Sequence, residues 1–137
     1  MNNGEIVLTV ALEHPGKALR PNGRAHWATK QRVVREARGR ARLLMVRSKR
    51  DAEAMCMLPA GWRPSRYDVT WFFWVGTGPD ADNALASCKA YLDGCCDALG
   101  VNDRVLDCAG IHRVKDREQD GTVLIRFFRA SDGKEGE

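Results

Sequence analysis

The sequence predicts an α/β fold of the α+β kind, in which a single mixed sheet of about four strands packs against two helices. In several short segments apolar and polar residues largely alternate, which is typical of β-strands. In two longer segments apolar residues recur every three or four positions, which is typical of helices. The order of these segments is β-α-β-α-β-β. With a length of 137 residues, this order favours one domain at residues 1–130 and a short polar tail at 131–137.

The first strand is predicted at residues 5–12, where every second residue is aliphatic. A loop containing Pro21, Asn22 and Gly23 follows. A long helix is then expected at about 28–55, and Gly39 weakens it by about 1 kcal/mol relative to alanine without ending it. Its apolar stripe recurs at steps of three and four and comprises Val34, Ala37, Ala41, Leu44, Ser48 and Ala52.

The segment 67–75 is predicted to be a central strand because both of its faces are apolar. A second helix is expected at 82–99, with Asp82 as its N-cap and Gly100 at the C-cap position. Two further strands are predicted at 104–114 and 122–129, joined by a polar turn at 115–121.

The aromatic run Trp71, Phe72, Phe73 and Trp74 in the central strand has three interpretations. The alternating pattern favours core packing over a platform for stacking nucleobases. A small monomer can hardly cover aromatic residues on both faces of one strand, which predicts a homodimer. Its contact would lie on the side of Trp71 and Phe73 or on that of Phe72 and Trp74.

Several classes of protein are not expected. No apolar run of about 18 residues is present, so no membrane span is predicted, and the N-terminal residues do not resemble a secretory signal. The five cysteines are odd in number and form no CxxC pair, which argues against a disulfide framework or a structural zinc site. Cysteines that pack as small apolar residues favour a reducing, cytoplasmic location.

The charges are distributed unevenly. Residues 17–50 contain twelve Lys or Arg and one acid, Glu36, for a charge of +11, whereas the whole chain carries +4 and the remainder therefore −7. This segment is either a solvated helix surface or an electrostatic contact for phosphates; the scarcity of acids favours the phosphates, and nucleic acid as the partner. The candidate DNA contacts are Arg24, Lys30, Arg32, Arg35, Arg38 and Arg42.

Carboxylates are concentrated after the central strand. Asp80 and Asp82 are two residues apart, so both side chains point the same way in an extended segment. Asp103, just beyond Gly100, is expected to turn back towards them. Converging carboxylates suit a hard cation. Plainer interpretations compete: Asp82 as an N-cap, Asp80 as a turn residue, and Lys89 with Asp93 as an i,i+4 pair.

Three motifs together resemble the signature of the RusA family of Holliday junction resolvases. They are Asp80-Ala81-Asp82-Asn83, Lys89-x-x-x-Asp93, and Leu99-Gly100-Val101-Asn102-Asp103-Arg104. The segment Pro21-Asn22-Gly23-Arg24-Ala25-His26-Trp27 before a basic helix is similar to phage-type members. The resemblance spans roughly residues 6–128.

The resemblance implies that Asp80, Asp82 and Asp103 are catalytic carboxylates that bind Mg²⁺ or Mn²⁺, and that Lys89 assists them. It also implies a homodimer that cuts four-way DNA junctions symmetrically, in recombination and repair, in a bacterial or phage setting. The family more often places its lysine three residues after the Asp-Asn pair, whereas Lys89 follows Asn83 by six. Whether Lys89 reaches the same point is therefore open. The family also often has Asp-Asp where this chain has Asn102 and Asp103.

Two other functions remain open from the sequence. A metal-dependent nuclease acting on other branched DNA would carry the same residues. A non-catalytic, basic DNA-binding dimer would need only the basic segment, with the carboxylates serving as helix caps and surface ion pairs.

Overall fold

The computed structural model describes residues 6–20 and 26–129 and confirms the α+β fold with a single mixed sheet. Arg24 and the predicted tail lie outside the described residues. The described part contains four strands and, in place of the expected two, three α-helices. In chain order the elements are β1 (Ile6–Glu13), α1 (Trp27–Ala54), β2 (Arg66–Phe73), α2 (Ala81–Ser87), α3 (Lys89–Leu99), β3 (Asp107–Lys115) and β4 (Thr122–Arg129).

The sheet has the strand order β1-β4-β2-β3. β4 pairs antiparallel with both β1 and β2, whereas β3 runs parallel to β2 along the opposite edge. β2 is therefore an interior strand, as its apolar sequence predicts. β3 and β4 follow each other along the chain but do not pair, because β2 lies between them. The polar turn thus places β3 at an exposed edge.

The hydrophobic core lies between one face of the sheet and the helices. Val69 and Trp71 of β2 are buried there with alternate residues of β1 and β4 and with Ala41 and Met45 of α1. On the opposite face Asp68 is only 3% exposed. Its carboxylate accepts two hydrogen bonds from Arg126, at 2.9 and 2.5 Å, which compensate for burying the charge.

The aromatic run divides between the core and the surface. The Trp71 ring stacks on His14 with 4.3 Å between ring centroids, and Phe73 packs against the core. Trp74, by contrast, is 39% exposed, with the cations of Lys115 and Arg117 over its ring. The side that carries Trp71 and Phe73 is therefore occupied by the chain's own core, and Phe72 on the other side is only 8% exposed.

Helices α1 and α3 cross in unusually close contact. A Cβ atom placed on Gly94 of α3 would lie 2.1 Å from the carbonyl oxygen of Arg38 in α1. Only glycine allows the two backbones to come this close. The crossing fixes how the basic helix is placed against α3, and the backbone nitrogen of Arg42 lies only 3.0 Å from the same Cβ position.

The predicted helix at 82–99 is wrong in two details. It is interrupted at Cys88, which ends α2 and precedes α3, and its first cap is Asp80 in place of Asp82. The Asp80 carboxylate accepts a hydrogen bond of 2.8 Å from the backbone N–H of Asn83, which is the typical N-cap arrangement. Gly100 ends α3 with φ of 69°, a left-handed conformation that favours glycine, as expected from its position.

The structure bears on two expectations drawn from the sequence, one about membrane-spanning helices and one about the cysteines. Within residues 6–20 and 26–129, no helix is long and apolar enough to cross a membrane. All five cysteines are free thiols, and Cys88, Cys95 and Cys96 are buried as small apolar residues. Burial raises the pKa of the Cys88 thiol to about 12, so it stays protonated and unreactive.

Candidate carboxylate site and nucleic-acid interface

Lys89 lies at the centre of a compact group of charges. Its ammonium nitrogen Nζ is 2.9 Å from Oδ1 of Asp93 and 2.5 Å from Oδ2 of Asp103. Asp93 follows Lys89 by one turn of α3, whereas Asp103 comes from the segment beyond that helix. We call Lys89, Asp93 and Asp103 the ion-pair cluster. Its formal charge is −1, since one cation is shared between two anions.

Local backbone structure brings Asp103 back to the side of α3. Gly100 turns the chain out of the helix, and Asn102 then caps the 3₁₀ turn Asp103–Val105. The Asn102 side chain accepts a hydrogen bond of 2.9 Å from the backbone N–H of Arg104. The Asn102 side-chain amide of this chain thus acts as a cap.

The break at Cys88 bears on whether Lys89 reaches the site. α2 ends at Cys88 and α3 begins at Lys89. Because the helix is interrupted, the direction of the Lys89 side chain cannot be obtained by adding 100° per residue from Asn83. Lys89 contacts Asp103 directly, so it reaches one of the three carboxylates that the resemblance marks. Ala86, in the position where the family more often has lysine, lines the same cleft as Lys89 and Asp103.

The ion pairs stabilise the charged forms of their members. Hydrogen bonds, first to Asp103 and then to Asp93, raise the pKa of Lys89 above its usual value. The hydrogen bond from Lys89 likewise holds the pKa of Asp103 below its usual value. Both side chains remain accessible, at 58% exposed for Lys89 and 42% for Asp103, so water and ions can reach the cluster.

Three surface depressions meet at the ion-pair cluster. A cleft of about 380 Å³ has Lys89 and Asp103 at one side and mostly apolar residues, with Tyr67, at the other. A second, of about 470 Å³, is bounded by Arg38, Asp93 and Asp103. Asp103 therefore borders both of these depressions.

The third depression connects the cluster to the start of the basic helix. It has a volume of about 270 Å³, and its lining includes Arg20, Lys30, Lys89 and Asp93. Lys30 belongs to the first turn of α1, so the basic segment and the carboxylates share one stretch of surface. Basic and acidic side chains therefore lie side by side along this depression.

The structure does not assemble the predicted trio of carboxylates. Asp80 caps α2, Asp82 is exposed in the first turn of the same helix, and Asp103 pairs with Lys89. Among the residues that the structure describes, no group of three or more His, Cys, Asp or Glu side chains could hold a metal ion. The expected convergence of Asp80 and Asp82 with Asp103 is thus absent from this arrangement.

Helix α1 presents a continuous basic flank towards α3. Arg35, Arg38, Arg42 and Lys49 lie within about 60° of one another around the helix axis, and we call these four residues the basic flank. Arg38 identifies its direction, because Nε and Nη2 donate hydrogen bonds of 2.6 and 2.9 Å to Asp97 of α3.

Of the predicted DNA contacts, Arg24 lies outside the described residues and the others are exposed on α1: Lys30, Arg32, Arg35, Arg38 and Arg42. Arg38 is committed in part to Asp97, and its pKa is raised by that hydrogen bond. Arg40 forms a 3.0 Å ion pair with Glu13 on the other side of the helix.

His26 and Trp27 lie at the start of α1. The His26 ring accepts a 3.1 Å hydrogen bond from the backbone N–H of Ala28 and so caps the helix. Trp27, the first residue of α1, is 73% exposed.

Sequence analysis missed several residues around the cluster. Asp93 appears in the sequence motif and as an i,i+4 partner of Lys89, but its sharing of Lys89 with Asp103 was not predicted. Tyr67 lines the apolar cleft, and burial, followed by the neighbouring Cys108, raises its pKa to about 12, so its hydroxyl stays protonated. Gly94 offered one signal that was overlooked, a glycine within an otherwise apolar helical stripe.

Comparison with known proteins adds one relative. No family model matches the chain. A protein of Xylella fastidiosa (strain Temecula1 / ATCC 700964), described as "Uncharacterized protein", is 38% identical over 98 residues, which cover 70% of this chain and 60% of that protein. The chain thus spans about 60% of the length of the curated relative it matches. The similarity extends over most of the chain and names no activity.

Proposed function

We propose that this protein is a RusA-like endodeoxyribonuclease that binds four-way DNA junctions and hydrolyses opposing strands at paired, symmetric positions. It would act as a homodimer with Mg²⁺ or Mn²⁺, in the cytoplasm of a bacterium or a phage-infected cell, during recombination or repair. The proposal rests on the residue pattern of Asp80, Asp82, Lys89 and Asp103 and on the surface around the ion-pair cluster.

One observation carries the proposal: the ion-pair cluster lies where three depressions meet, beside the basic helix. Lys89 and Asp93 line the same depression as Lys30, and Asp93 and Asp103 line the same depression as Arg38. A pure phosphate-binding surface gains nothing from accessible carboxylates beside its cations, because these repel the backbone. A hydrolase does gain, since carboxylates position hard cations and water near phosphorus.

The basic flank would hold DNA through its phosphates. The flank consists of Arg35, Arg38, Arg42 and Lys49. The ion pair with Asp97 holds Arg38 in place. Arginine suits this role because its planar guanidinium can donate two parallel hydrogen bonds to a phosphate. These contacts carry no sequence information, so they fit recognition of DNA shape.

The types of the candidate residues suit Mg²⁺ or Mn²⁺, but their arrangement in the structure does not. Carboxylate oxygens are the ligands that Mg²⁺ and Mn²⁺ prefer. In this structure, however, Asp103 is occupied by Lys89, and the described residues present no three-ligand group. The protein as it stands therefore does not offer the ligand set that the resemblance implies.

The chain's own residues account for binding and charge placement. The ammonium of Lys89 is exposed and lies between two depressions, where it can donate a hydrogen bond to a phosphate oxygen and offset charge that develops there. In the hydrolysis, water would add to phosphorus and the bond to the 3′ oxygen would break. The products are then a 5′-phosphate and a 3′-hydroxyl.

A second candidate, a non-catalytic DNA-binding protein, is favoured by one observation. Asp80 serves as the N-cap of α2, as the plainer interpretation of that residue expects. In that case the carboxylates would be structural, and the basic flank alone would make contact with DNA. A metal-dependent nuclease that acts on other branched DNA would use the same residues as the first proposal and is a variant of it.

The deciding experiment uses a labelled synthetic four-way junction and a matched linear duplex, each with and without Mg²⁺. We expect Mg²⁺-dependent cleavage of the junction alone. Asp80→Asn, Asp82→Asn and Asp103→Asn should each abolish cleavage but leave junction binding intact or tighter, because each removes an anion near the phosphate. Asparagine caps a helix about as well as aspartate, so the Asp80→Asn variant should still fold.

Asp97→Asn is the matched control, because Asp97 is an α3 carboxylate bound to arginine and outside the predicted trio. It should still cut the junction with Mg²⁺, and any change should appear in junction binding, because Asp97 holds Arg38 of the basic flank. Asp82→Asn is the most informative variant, since Asp82 is exposed and caps no helix in this structure. If it binds the junction and still cuts it normally, the metal-site assignment is wrong and the DNA-binding alternative gains support.

The proposed dimer would use the sheet face that the helices leave uncovered. Leu124 and Phe128 are partly exposed on that face, at alternate positions to the core residues of β4, whereas Phe72 is already buried at 8% exposed. Light scattering at micromolar concentration should give the mass of two chains. The mass of one chain, in a sample that still cuts junctions at paired sites, would contradict the dimer.

A further inference from the structure

The apolar cleft beside the ion-pair cluster has no role in the proposed function. Its volume of about 380 Å³ is near the lower end of the range for small-molecule sites. Its apolar lining comes from α2, α3 and the residue before β3, and it includes Leu85, Leu92, Cys96 and Leu106. Such a lining suits a small, flat group with apolar faces.

Three polar side chains border the same cleft. Lys89 donates hydrogen bonds, Asp103 accepts them, and the Tyr67 hydroxyl can do both. A ring with hydrogen-bonding groups along its edge would therefore find partners here. An aliphatic chain would leave all three of these groups unused.

The cleft adjoins the depression of about 270 Å³ at the start of the basic helix, since Ala86 and Lys89 line both. The charged side chains that line this depression are three cations, Arg20, Lys30 and Lys89, and one anion, Asp93. The surplus of positive charge favours an anion there. A ligand that occupied both depressions would combine an anionic group with a flat apolar ring.

We infer that the cleft binds the base of an unpaired nucleotide in a DNA strand, while the phosphate of that nucleotide lies in the adjoining basic depression. A nucleotide has an apolar ring face, a polar ring edge and an anion, and the two depressions offer a partner for each. Enzymes that act on nucleic acid bind extruded bases between apolar and aromatic side chains in this way. The inference rests on the proposed function, because that proposal makes branched DNA the source of the nucleotide.

The test is saturation-transfer difference NMR without Mg²⁺, on each of the four deoxynucleoside 5′-monophosphates and on deoxyribose 5-phosphate. We expect base protons to receive more saturation than sugar protons. Deoxyribose 5-phosphate, which lacks the base, should bind at least about 5-fold more weakly. A thymidine hexanucleotide should bind more tightly than the mononucleotide, because it also brings phosphates to the basic flank.

Ala86→Trp would place an indole at the boundary between the two depressions. Ala86 is exposed on α2, so the variant should fold, and nucleotides should bind it at least about 5-fold more weakly than wild type. Ala86→Met, a smaller obstruction, should give an intermediate loss. Tyr67→Phe removes only the hydroxyl and should weaken binding by roughly 2- to 10-fold.

Ala54→Trp is the matched control, because Ala54 is exposed near the end of α1 and lines none of the three depressions. It should bind nucleotides as wild type does. Equal binding by wild type and both Ala86 variants would overturn the inference, as would a loss of the same size in Ala54→Trp or equally tight binding of deoxyribose 5-phosphate.

Two further ligands test the choice of occupant. If mononucleotides bind the cleft and the hexanucleotide does not, the site takes a free nucleotide and the assignment to a DNA strand is wrong. The dipeptide N-acetyl-phenylalanyl-aspartate also has an apolar ring and an anion. If it binds as tightly as the nucleotides, the cleft is a site for a protein partner and the inference is overturned.

The failures of the inference and of the proposed function are distinguishable. If wild type cuts junctions with Mg²⁺ but Ala86→Trp and Ala86→Met bind nucleotides normally, only the inference is wrong. If nucleotides and the hexanucleotide bind the cleft as expected but wild type cuts no branched DNA, the base site holds and the nuclease proposal fails.

Discussion

Gly94→Ala should separate the two helices that bring the basic flank to the carboxylates. The new Cβ would lie 2.1 Å from the carbonyl oxygen of Arg38, whereas real contacts of this kind are essentially never shorter than 3.0 Å. The helices must therefore move apart by roughly 1 Å, and a backbone carbonyl cannot rotate away as a side chain can.

The size of the effect follows from two opposing terms. Overpacking in a core costs about 1–3 kcal/mol, and the upper end applies because the clash is with backbone. Alanine also gains about 1 kcal/mol of helix propensity over glycine. The net loss is about 2 kcal/mol in the free energy of unfolding, which for a domain of this size lowers Tm by roughly 6–10 °C.

Gly39→Ala is the matched control, because Gly39 lies within α1 and a Cβ there would meet nothing within 4 Å. The same substitution should raise the free energy of unfolding by up to about 1 kcal/mol. Urea unfolding followed by circular dichroism, with thermal melts, measures both. If Gly94→Ala proves as stable as wild type, or gains stability as Gly39→Ala does, the close crossing of α1 and α3 is wrong.

Two further predictions concern charge. Charge reversal at Arg35 and Arg42 should weaken binding to junction and duplex alike. The wild-type affinity for DNA should fall by roughly 10³–10⁵-fold between about 50 and 200 mM salt if about 6–10 phosphates are contacted. If fluorescence anisotropy gives an affinity that does not change with salt, the basic flank is excluded as the DNA contact. The hydrogen bond from Arg38 lowers the pKa of Asp97 below its usual 3.8, so this pair stabilises the fold above the ordinary aspartate pKa and ceases to do so as pH falls through the lowered value. Urea unfolding at pH 7 and at about pH 3 should therefore show a smaller acid-induced loss for Asp97→Asn than for wild type, and equal losses would contradict the assignment.

Much of the fold follows from local pattern alone. The alternation in 5–12 and 122–129 and the stripe of 28–55 each specify one element, because side chains repeat every two residues in a strand and every 3.6 in a helix. β1, β4 and α1 accordingly lie within two residues of their predicted bounds. Gly100 was located correctly for a comparable reason, since a left-handed helix end requires little beyond glycine itself.

The candidate site depended on information that no local pattern carries. Which aspartate caps α2, and where the helix breaks at Cys88, depend on how α2 and α3 pack, and that break decides the direction of Lys89. The residue pattern is sufficient to establish that carboxylates, a lysine and a basic helix are all present. The joining of Asp93 to Asp103 by Lys89 becomes apparent in the folded chain, because ion pairs form between groups that folding brings within a few ångströms, and that proximity depends on the whole core.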